Sequence, residues 1–197
     1  EKGVNPFPVS AKKSLDIAEV LGDFEKILER NKSLNIVGRI MAVRAHGGSI
    51  FFDLSDGTGK IQAYVKKDEI GEESFSLFND AADIGDFVAV SGNPFITKKN
   101  EKTIKALSWK MLAKSLRPLP EKWHGLSDVE ERFRKRYLDL LMNDDVRRRF
   151  ILRSKIISEI RKFLDKENFL EVDTPVLQTL AGGALAKPFK THHNALN

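Results

Sequence analysis

The chain has 197 residues, which is enough for one large domain or for a small domain joined to part of another. Its net charge of +5 favours a polyanionic partner, although a basic surface that only maintains solubility would give the same value. The chain has no cysteine, no apolar run near the ~18 residues of a membrane span and no signal-peptide core, so we expect a cytoplasmic protein without disulfides or thiolate metal sites.

The first 33 residues are predicted to form an extended arm and a helix. Asn5 to Pro8 is extended, because proline excludes the residue before it from the α-helical region. Apolar residues then recur at helical spacing from Ile17 to Leu28. Gly22 lies inside this pattern, where it can split the helix into two short pieces.

Residues 34–116 have the apolar periodicity of β-strands. Five strands are predicted, at residues 35–45, 49–54, 60–65, 86–91 and 103–113. A helix is predicted over residues 72–82, between the third strand and the fourth. This order is that of the OB-fold, a five-stranded barrel that binds oligonucleotides on the face of strands two and three. The predicted class is therefore a β-rich α+β fold.

Residues 117–144 are predicted to be a hinge with one charged helix. The prolines of Arg117-Pro-Leu-Pro120 lie too close together to continue a helix or a strand. Ser127 and Glu130 have the spacing of a capping box, which predicts the start of a helix over residues 128–142.

A longer helix is predicted to begin at Asp144-Asp145, with a wide apolar face. The apolar residues of this face recur at helical spacing: Val146, Phe150, Ile157, Ile160 and Leu164. Asn168 is a residue that can end this helix in the left-handed conformation. The segment from Phe169 to Leu177 is then extended and contains a proline.

These elements, in this order, resemble the class IIb aminoacyl-tRNA synthetases. The segment Phe169-Leu-Glu-Val-Asp-Thr-Pro175 is similar to class II motif 1, in which a helix, a strand and a proline build the dimer interface. Three segments resemble the lysyl members in particular: residues 3–8, 117–126 and 182–196. The resemblance implies that residues 145–197 are the truncated start of an α+β catalytic domain and that the chain is an N-terminal piece. The family usually has Asp where this chain has Asn197.

The resemblance also implies which residues contact a tRNA anticodon. It places Phe51 where an unpaired base is stacked, and adjacent Phe51 and Phe52 must point to opposite faces of their strand. It places Arg44, Gln62 and Glu101 in contact with the anticodon, with Glu101 accepting from uridine. These side chains can donate to or accept from base edges, but by residue type alone each could be a solvated surface residue.

Two further groups of residues follow from the resemblance. The motif 1 dimer contacts would be Phe150, Ile157, Ile160, Leu164 and Pro175. In this chain the helix could dock on a second copy, fold back on the hinge or belong to a partly disordered region, and we favour a dimer. Gly182 and Gly183 resemble the loop that approaches the substrate lysine, with a plain flexible loop as the alternative.

The complete family enzyme activates lysine with ATP and Mg²⁺ and transfers it to tRNA(Lys). The resemblance places the residues for this chemistry in motifs 2 and 3, after Asn197. We therefore expect no catalytic residue, metal site or cofactor in this chain, and no activity from it alone. The alternatives are a piece of an aspartyl or asparaginyl enzyme, or a freestanding OB-fold module that would have no use for motif 1.

Two other patterns have ordinary explanations that we favour. The basic runs at residues 132–136 and 147–149 could contact RNA, but such runs are usually solvated helix faces. His192 and His193 are adjacent on an extended segment and point opposite ways, so they cannot simply chelate one ion.

Overall fold

The structure is a computed structural model that describes residues 5–30, 32–120, 126, 128–177, 187, 189, 191–192 and 194–195. The chain divides into two compact units, Glu1–Gly125 and Leu126–Asn197. The boundary between the units falls inside the stretch that the sequence predicts to be a hinge.

The first unit contains a closed barrel of five strands. These are β1 (Leu34–His46), β2 (Ser49–Ser55), β3 (Lys60–Lys66), β4 (Phe87–Ile96) and β5 (Lys102–Ala113). Their order around the barrel is β1-β2-β3-β5-β4, and the ring closes where β4 pairs with β1. Strands β3 and β5 run parallel, whereas the other neighbours are antiparallel. The barrel confirms the predicted OB-fold.

Strand β4 continues well past the predicted end at Ser91. The sequence Gly92-Asn-Pro94 has the composition of a turn, but in the structure it lies within the strand. The register of β4 on β5 shifts between Ser91 and Gly92, and a Cβ at Gly92 would lie 2.1 Å from the carbonyl oxygen of Lys105. Pro94 is tolerated because β1 pairs with β4 only as far as Gly92.

Four helices accompany the barrel in the described residues of the first unit. They are α1 (Ile17–Gly22), α2 (Phe24–Arg30), α3 (Lys67–Ile70) and α4 (Glu72–Ala81). The break between α1 and α2 falls after Gly22, where the sequence allowed a split. Ile17, Val20 and Phe24 are fully buried and belong to the same apolar cluster as the barrel core.

The barrel core follows from the alternation of its strands. On β2 and β3 every second residue is buried, from Ile50 to Leu54 and from Ile61 to Val65. Phe78 of α4 packs against Phe52, with ring centroids 4.8 Å apart, and meets Trp109 edge-on at 4.9 Å. Helix α4 is therefore anchored in the core by Phe78.

The described part of the second unit contains three helices, α5 (Val129–Arg134), α6 (Arg136–Met142) and α7 (Asp144–Lys166). The single helix predicted over residues 128–142 is thus divided at Lys135. The predicted cap is also wrong. Asp128 caps α5, because its carboxylate accepts from the backbone N–H of Glu131 at 2.6 Å; Ser127 lies outside the described residues.

Helix α7 ends where the sequence indicates, but the motif 1 strand that the resemblance implies after it is not formed. Asn168 has φ 64°, and the backbone N–H of Phe169 donates to the carbonyl oxygen of Leu164 at 3.0 Å. Residues 169–177 have no strand partner. A strand needs a neighbour for its backbone groups, and the described part of this unit contains no other strand.

Candidate nucleic-acid interface

The outer face of the barrel presents two rows of side chains, because directly paired residues of neighbouring strands share a face. The first row consists of Arg44, Phe51, Tyr64, Lys105 and Asn93. The second row consists of Asp53, Gln62, Thr103 and Phe95. Three of the four residues predicted to contact an anticodon therefore lie in adjacent positions on one surface.

The centre of this surface is aromatic. Phe52 is fully buried in the core, so its neighbour Phe51 faces outward and is half-buried, as strand geometry requires. The ring centroid of Phe51 lies 4.5 Å from that of Tyr64, which lies 6.0 Å from that of Phe95. The hydroxyl of Tyr64 is 3.2 Å from the hydroxyl of Ser49. These contacts hold the Phe51 ring in a defined position.

Glu101 joins the surface from the loop between β4 and β5. The backbone N–H of Glu101 donates to the Thr97 hydroxyl at 3.0 Å, and the Thr97 N–H donates to the Glu101 carbonyl at 3.0 Å. Asn100, inside this turn, has φ 62°, a left-handed conformation that asparagine tolerates. The turn brings the Glu101 carboxylate to Gln62, whose Nε2 donates to it at 2.8 Å.

Arg44 is held by an acidic neighbour on β2. Its guanidinium donates to both carboxylate oxygens of Asp53, at 2.7 and 3.2 Å. This hydrogen bonding, reinforced by the charges of Asp53 and Glu101, raises the pKa of Arg44 although partial burial opposes it. A guanidinium group held in this way presents its remaining N–H groups in a fixed direction.

Two family models match separate parts of the chain. The model described as OB-fold nucleic acid binding domain matches residues 34–112, and that described as tRNA synthetases class II (D, K and N) matches residues 128–197. The chain is 49% identical over 195 residues to the lysine–tRNA ligase of Carboxydothermus hydrogenoformans, which covers 99% of this chain. The chain is thus similar to lysine–tRNA ligases over nearly its whole length.

Two other lysine–tRNA ligases show the same extent of similarity to the chain. The chain is 48% identical over 197 residues to lysine–tRNA ligase 2 of Methanosarcina mazei and to the lysine–tRNA ligase of Pelotomaculum thermopropionicum. It spans only 38–39% of the length of these curated relatives. The matches favour the lysyl family over the aspartyl and asparaginyl alternatives. Because they also cover residues 128–197, they disfavour a freestanding OB-fold module.

The structure adds residues to the candidate interface that the sequence analysis missed. Tyr64 alternates with Gln62 on β3, so strand periodicity alone placed it on the same face. Phe95 was missed because β4 was predicted to end too early. Thr103 was missed because a strand threonine has no distinctive pattern, yet its hydroxyl lies 2.9 Å from Oε1 of Gln62.

The residues predicted for the dimer contact are placed on the second unit. Four of them lie on α7 with between 40% and 55% of their surface exposed: Phe150, Ile157, Ile160 and Leu164. Pro175 lies in the segment without regular structure. Gly182 and Gly183, predicted to approach the substrate, lie outside the described residues.

Most cations of the two basic runs pair with carboxylates of the second unit. Arg134 pairs with Glu130 at 2.6 Å and Lys135 with Glu131 at 2.6 Å. Arg148 pairs with an aspartate of its own helix at 3.3 Å. These exposed pairs are what a solvated helix face produces, whereas Arg132 and Arg136 of the first run bind the buried carboxylate of Asp139 in α6.

Neither a metal site nor a membrane-spanning helix is present among the described residues. No group of three or more His, Asp or Glu side chains among them could hold a metal ion; His192 is described and exposed, whereas His193 is not described. In the same part of the chain, no helix has the length and apolar content needed to cross a membrane.

Proposed function

We propose that the chain binds the anticodon of tRNA(Lys) on the outer face of the barrel, as the tRNA-reading part of a lysine–tRNA ligase. The observation that carries the proposal is that an outward aromatic ring lies beside side chains that can donate to or accept from the edge of a base. Phe51 belongs to the first row of outward side chains and Gln62 to the adjacent second row. The Gln62 amide donates a hydrogen bond to the Glu101 carboxylate. We assign this role to a domain of residues 34–116.

The proposed roles follow the chemistry of each group. Phe51 stacks an unpaired base, with the Tyr64 ring supporting it from the neighbouring strand. Gln62 and Glu101 contact the Watson–Crick edge of uridine, since an amide donates and accepts whereas a carboxylate only accepts. Arg44 donates to a base edge or stacks on a base. The net positive charge attracts the RNA backbone without reading sequence.

The activity of the whole protein is a further part of the proposal. A lysine–tRNA ligase would activate lysine with ATP and Mg²⁺, act in the cytoplasm where translation occurs, and form a homodimer through the motif 1 region. We assign no step of this chemistry to the described residues. Gly182 and Gly183 remain predicted contacts of the lysine substrate.

The test is a binding titration with a labelled anticodon stem-loop of tRNA(Lys). Phe51→Ala is expected to weaken binding by about 1–3 kcal/mol, the value of one stacked base. Phe163→Ala removes an aromatic ring of the second unit that is 62% exposed, and should leave the affinity unchanged. Equal affinities for the parent and Phe51→Ala would reject Phe51 as the stacking residue.

A second titration tests base reading. Cytidine is substituted for uridine at each anticodon position in turn, and the parent is compared with Gln62→Ala and Glu101→Ala. Both variants should relax the preference for uridine more than they weaken binding. A parent chain that binds the uridine and cytidine hairpins equally would reject the proposed function.

A further inference from the structure

The first row of the outer face contains two cations, and each of them has an anionic partner. Arg44 is bound by Asp53, and the Lys105 ammonium lies 2.7 Å from the Glu69 carboxylate. Both side chains of the second pair keep part of their surface open to solvent, 37% for Lys105 and 32% for Glu69. The pairing with Glu69 therefore leaves Lys105 accessible to a ligand on this face.

Lys105 lies close to the residue that is proposed to stack a base. It is paired with Tyr64 across β3 and β5, and the Tyr64 ring centroid is 4.5 Å from that of Phe51. Neighbouring strands are about 4.8 Å apart, so two steps across the sheet place the backbone of Lys105 within roughly 10 Å of that of Phe51. A long and flexible lysine side chain covers much of this distance. Its ammonium can therefore meet the sugar–phosphate backbone of a nucleotide that is stacked on Phe51.

Glu69 is carried by α3, directly after β3, and the ion pair could serve only to attach this short helix to the barrel. The attachment has another source, however, because Ile70 of the same helix packs against the barrel core. An ion pair with this much exposure also contributes little to stability, since water solvates both charges well. The pair is therefore easily broken, and a phosphate that approaches Lys105 can take the place of the carboxylate.

We infer that Lys105 binds a phosphate of the RNA backbone and releases Glu69 when it does so. The inference rests on the proposed function, because it names a further contact of the same surface. A phosphate offers a negative charge and several acceptor oxygens to an ammonium group, and such a contact positions the RNA without reading its sequence. Glu69 is the competing anion, which occupies Lys105 in the free chain and repels a phosphate that approaches it. The two members of this ion pair therefore have opposite effects on RNA affinity.

The experiment measures how salt changes the affinity of the full 197-residue chain for a labelled anticodon hairpin of tRNA(Lys). Lys105→Met keeps the length of the side chain and removes its charge. The slope of log affinity against log salt concentration should become shallower by about 0.7, the value for one phosphate of a single strand. This change corresponds to a loss of about fivefold in affinity at about 0.1 M salt, which disappears near 1 M. Lys105→Arg keeps the charge and should retain the parent slope.

Glu69→Gln tests the exchange of partners. Removal of the competing carboxylate should tighten binding by about threefold at about 0.1 M salt. In the double variant with Lys105→Met this gain should disappear, because no phosphate is then held beside residue 69. Glu159→Gln is the matched control, since it removes the same charge from an ion pair of the same length, 2.7 Å to Lys162 on α7, and should leave the affinity unchanged. Near-ultraviolet circular dichroism verifies the fold, and Lys105→Gln replaces the methionine variant if that variant is unfolded.

The outcomes separate this inference from the proposed function. A folded Lys105→Met with the affinity and slope of the parent would overturn the phosphate contact, and anticodon binding would stand if Phe51→Ala still weakened binding. A Glu69→Gln that does not tighten binding, or that tightens it equally with and without Lys105→Met, would overturn the exchange. A parent chain that does not bind the hairpin would overturn the proposed function and this inference together.

Discussion

The barrel unit and the long helix of the second unit use their apolar side chains in opposite ways. In the barrel, alternate residues of each strand enter one core, so that Phe52 has no exposed surface. On α7 only Val146 is buried, and the other residues of its apolar face, such as Ile157, remain open to solvent. Apolar periodicity in the sequence thus marks a completed core in one unit and an exposed face in the other.

The largest expected difference between the units is in the cost of removing an aromatic ring. Phe52→Ala should lower the free energy of unfolding by about 3–5 kcal/mol, because it leaves a cavity in a closed core. Phe163→Ala on α7 should change it by less than about 0.5 kcal/mol, because that ring is exposed. Urea unfolding followed by tryptophan fluorescence measures both. Similar losses from the two variants would show that the α7 face is covered in the free chain.

A smaller effect concerns how α1 is attached to the barrel. The Asp56 carboxylate, in the turn after β2, accepts from the backbone N–H of Ile17 at 2.9 Å and from the hydroxyl of Thr58 at 2.7 Å. Burial alone would raise the pKa of Asp56, but these bonds and others from the backbone of its turn lower it to about 2. A depressed pKa stabilises the folded state above the unfolded value of 3.8, and this stabilisation is lost as the pH falls towards 2.

Asp56→Asn should therefore destabilise the first unit by about 1–2 kcal/mol at neutral pH. It should also flatten the dependence of stability on pH between about 4 and 2. Asp68→Asn is the control, because Asp68 is an exposed carboxylate whose main partner is Lys66. The attachment would be misassigned if Asp56→Asn and Asp68→Asn gave the same pH profile.

The smallest effect per residue is expected for self-association through α7. We expect the parent chain to dimerise at micromolar concentration, because each apolar side chain buried between copies contributes on the order of 1.5 kcal/mol before ordering costs. Ile157→Asp should shift the chain to monomer in sedimentation equilibrium. Leu107→Asp on the barrel is a control of matched exposure, at 43% compared with 40% for Ile157. A parent that sediments as a strict monomer would count against this interface.

The same contrast explains how much could be predicted from the sequence. Strand alternation is a local property, so it located β1, β2, β3 and β5 and separated Phe51 from Phe52. The extension of β4 depends on the close approach of Gly92 to Lys105, which only the folded sheet reveals. The N-cap of α5 could not be assigned from the sequence, because the neighbours Ser127 and Asp128 are both favoured at that position.

The candidate site was predictable only in part, for a related reason. The resemblance supplied Arg44, Gln62 and Glu101 as separate positions, without their contacts. Their partners come from residues distant in sequence that the barrel brings together, such as Thr103 against Gln62. Hydrogen bonds of this kind follow from strand register, and the register between β3 and β5 is set by closure of the barrel rather than by either strand.

The most direct test of the central claim is to map a bound anticodon hairpin of tRNA(Lys) onto the chain by amide chemical-shift perturbation. The expected result is a cluster of perturbed amides around Phe51, Gln62 and Glu101, with the helices of the second unit unchanged. A hairpin that perturbs chiefly the basic runs at residues 132–136 and 147–149, and leaves the outer face of the barrel unaffected, would contradict the assignment of anticodon binding to the barrel.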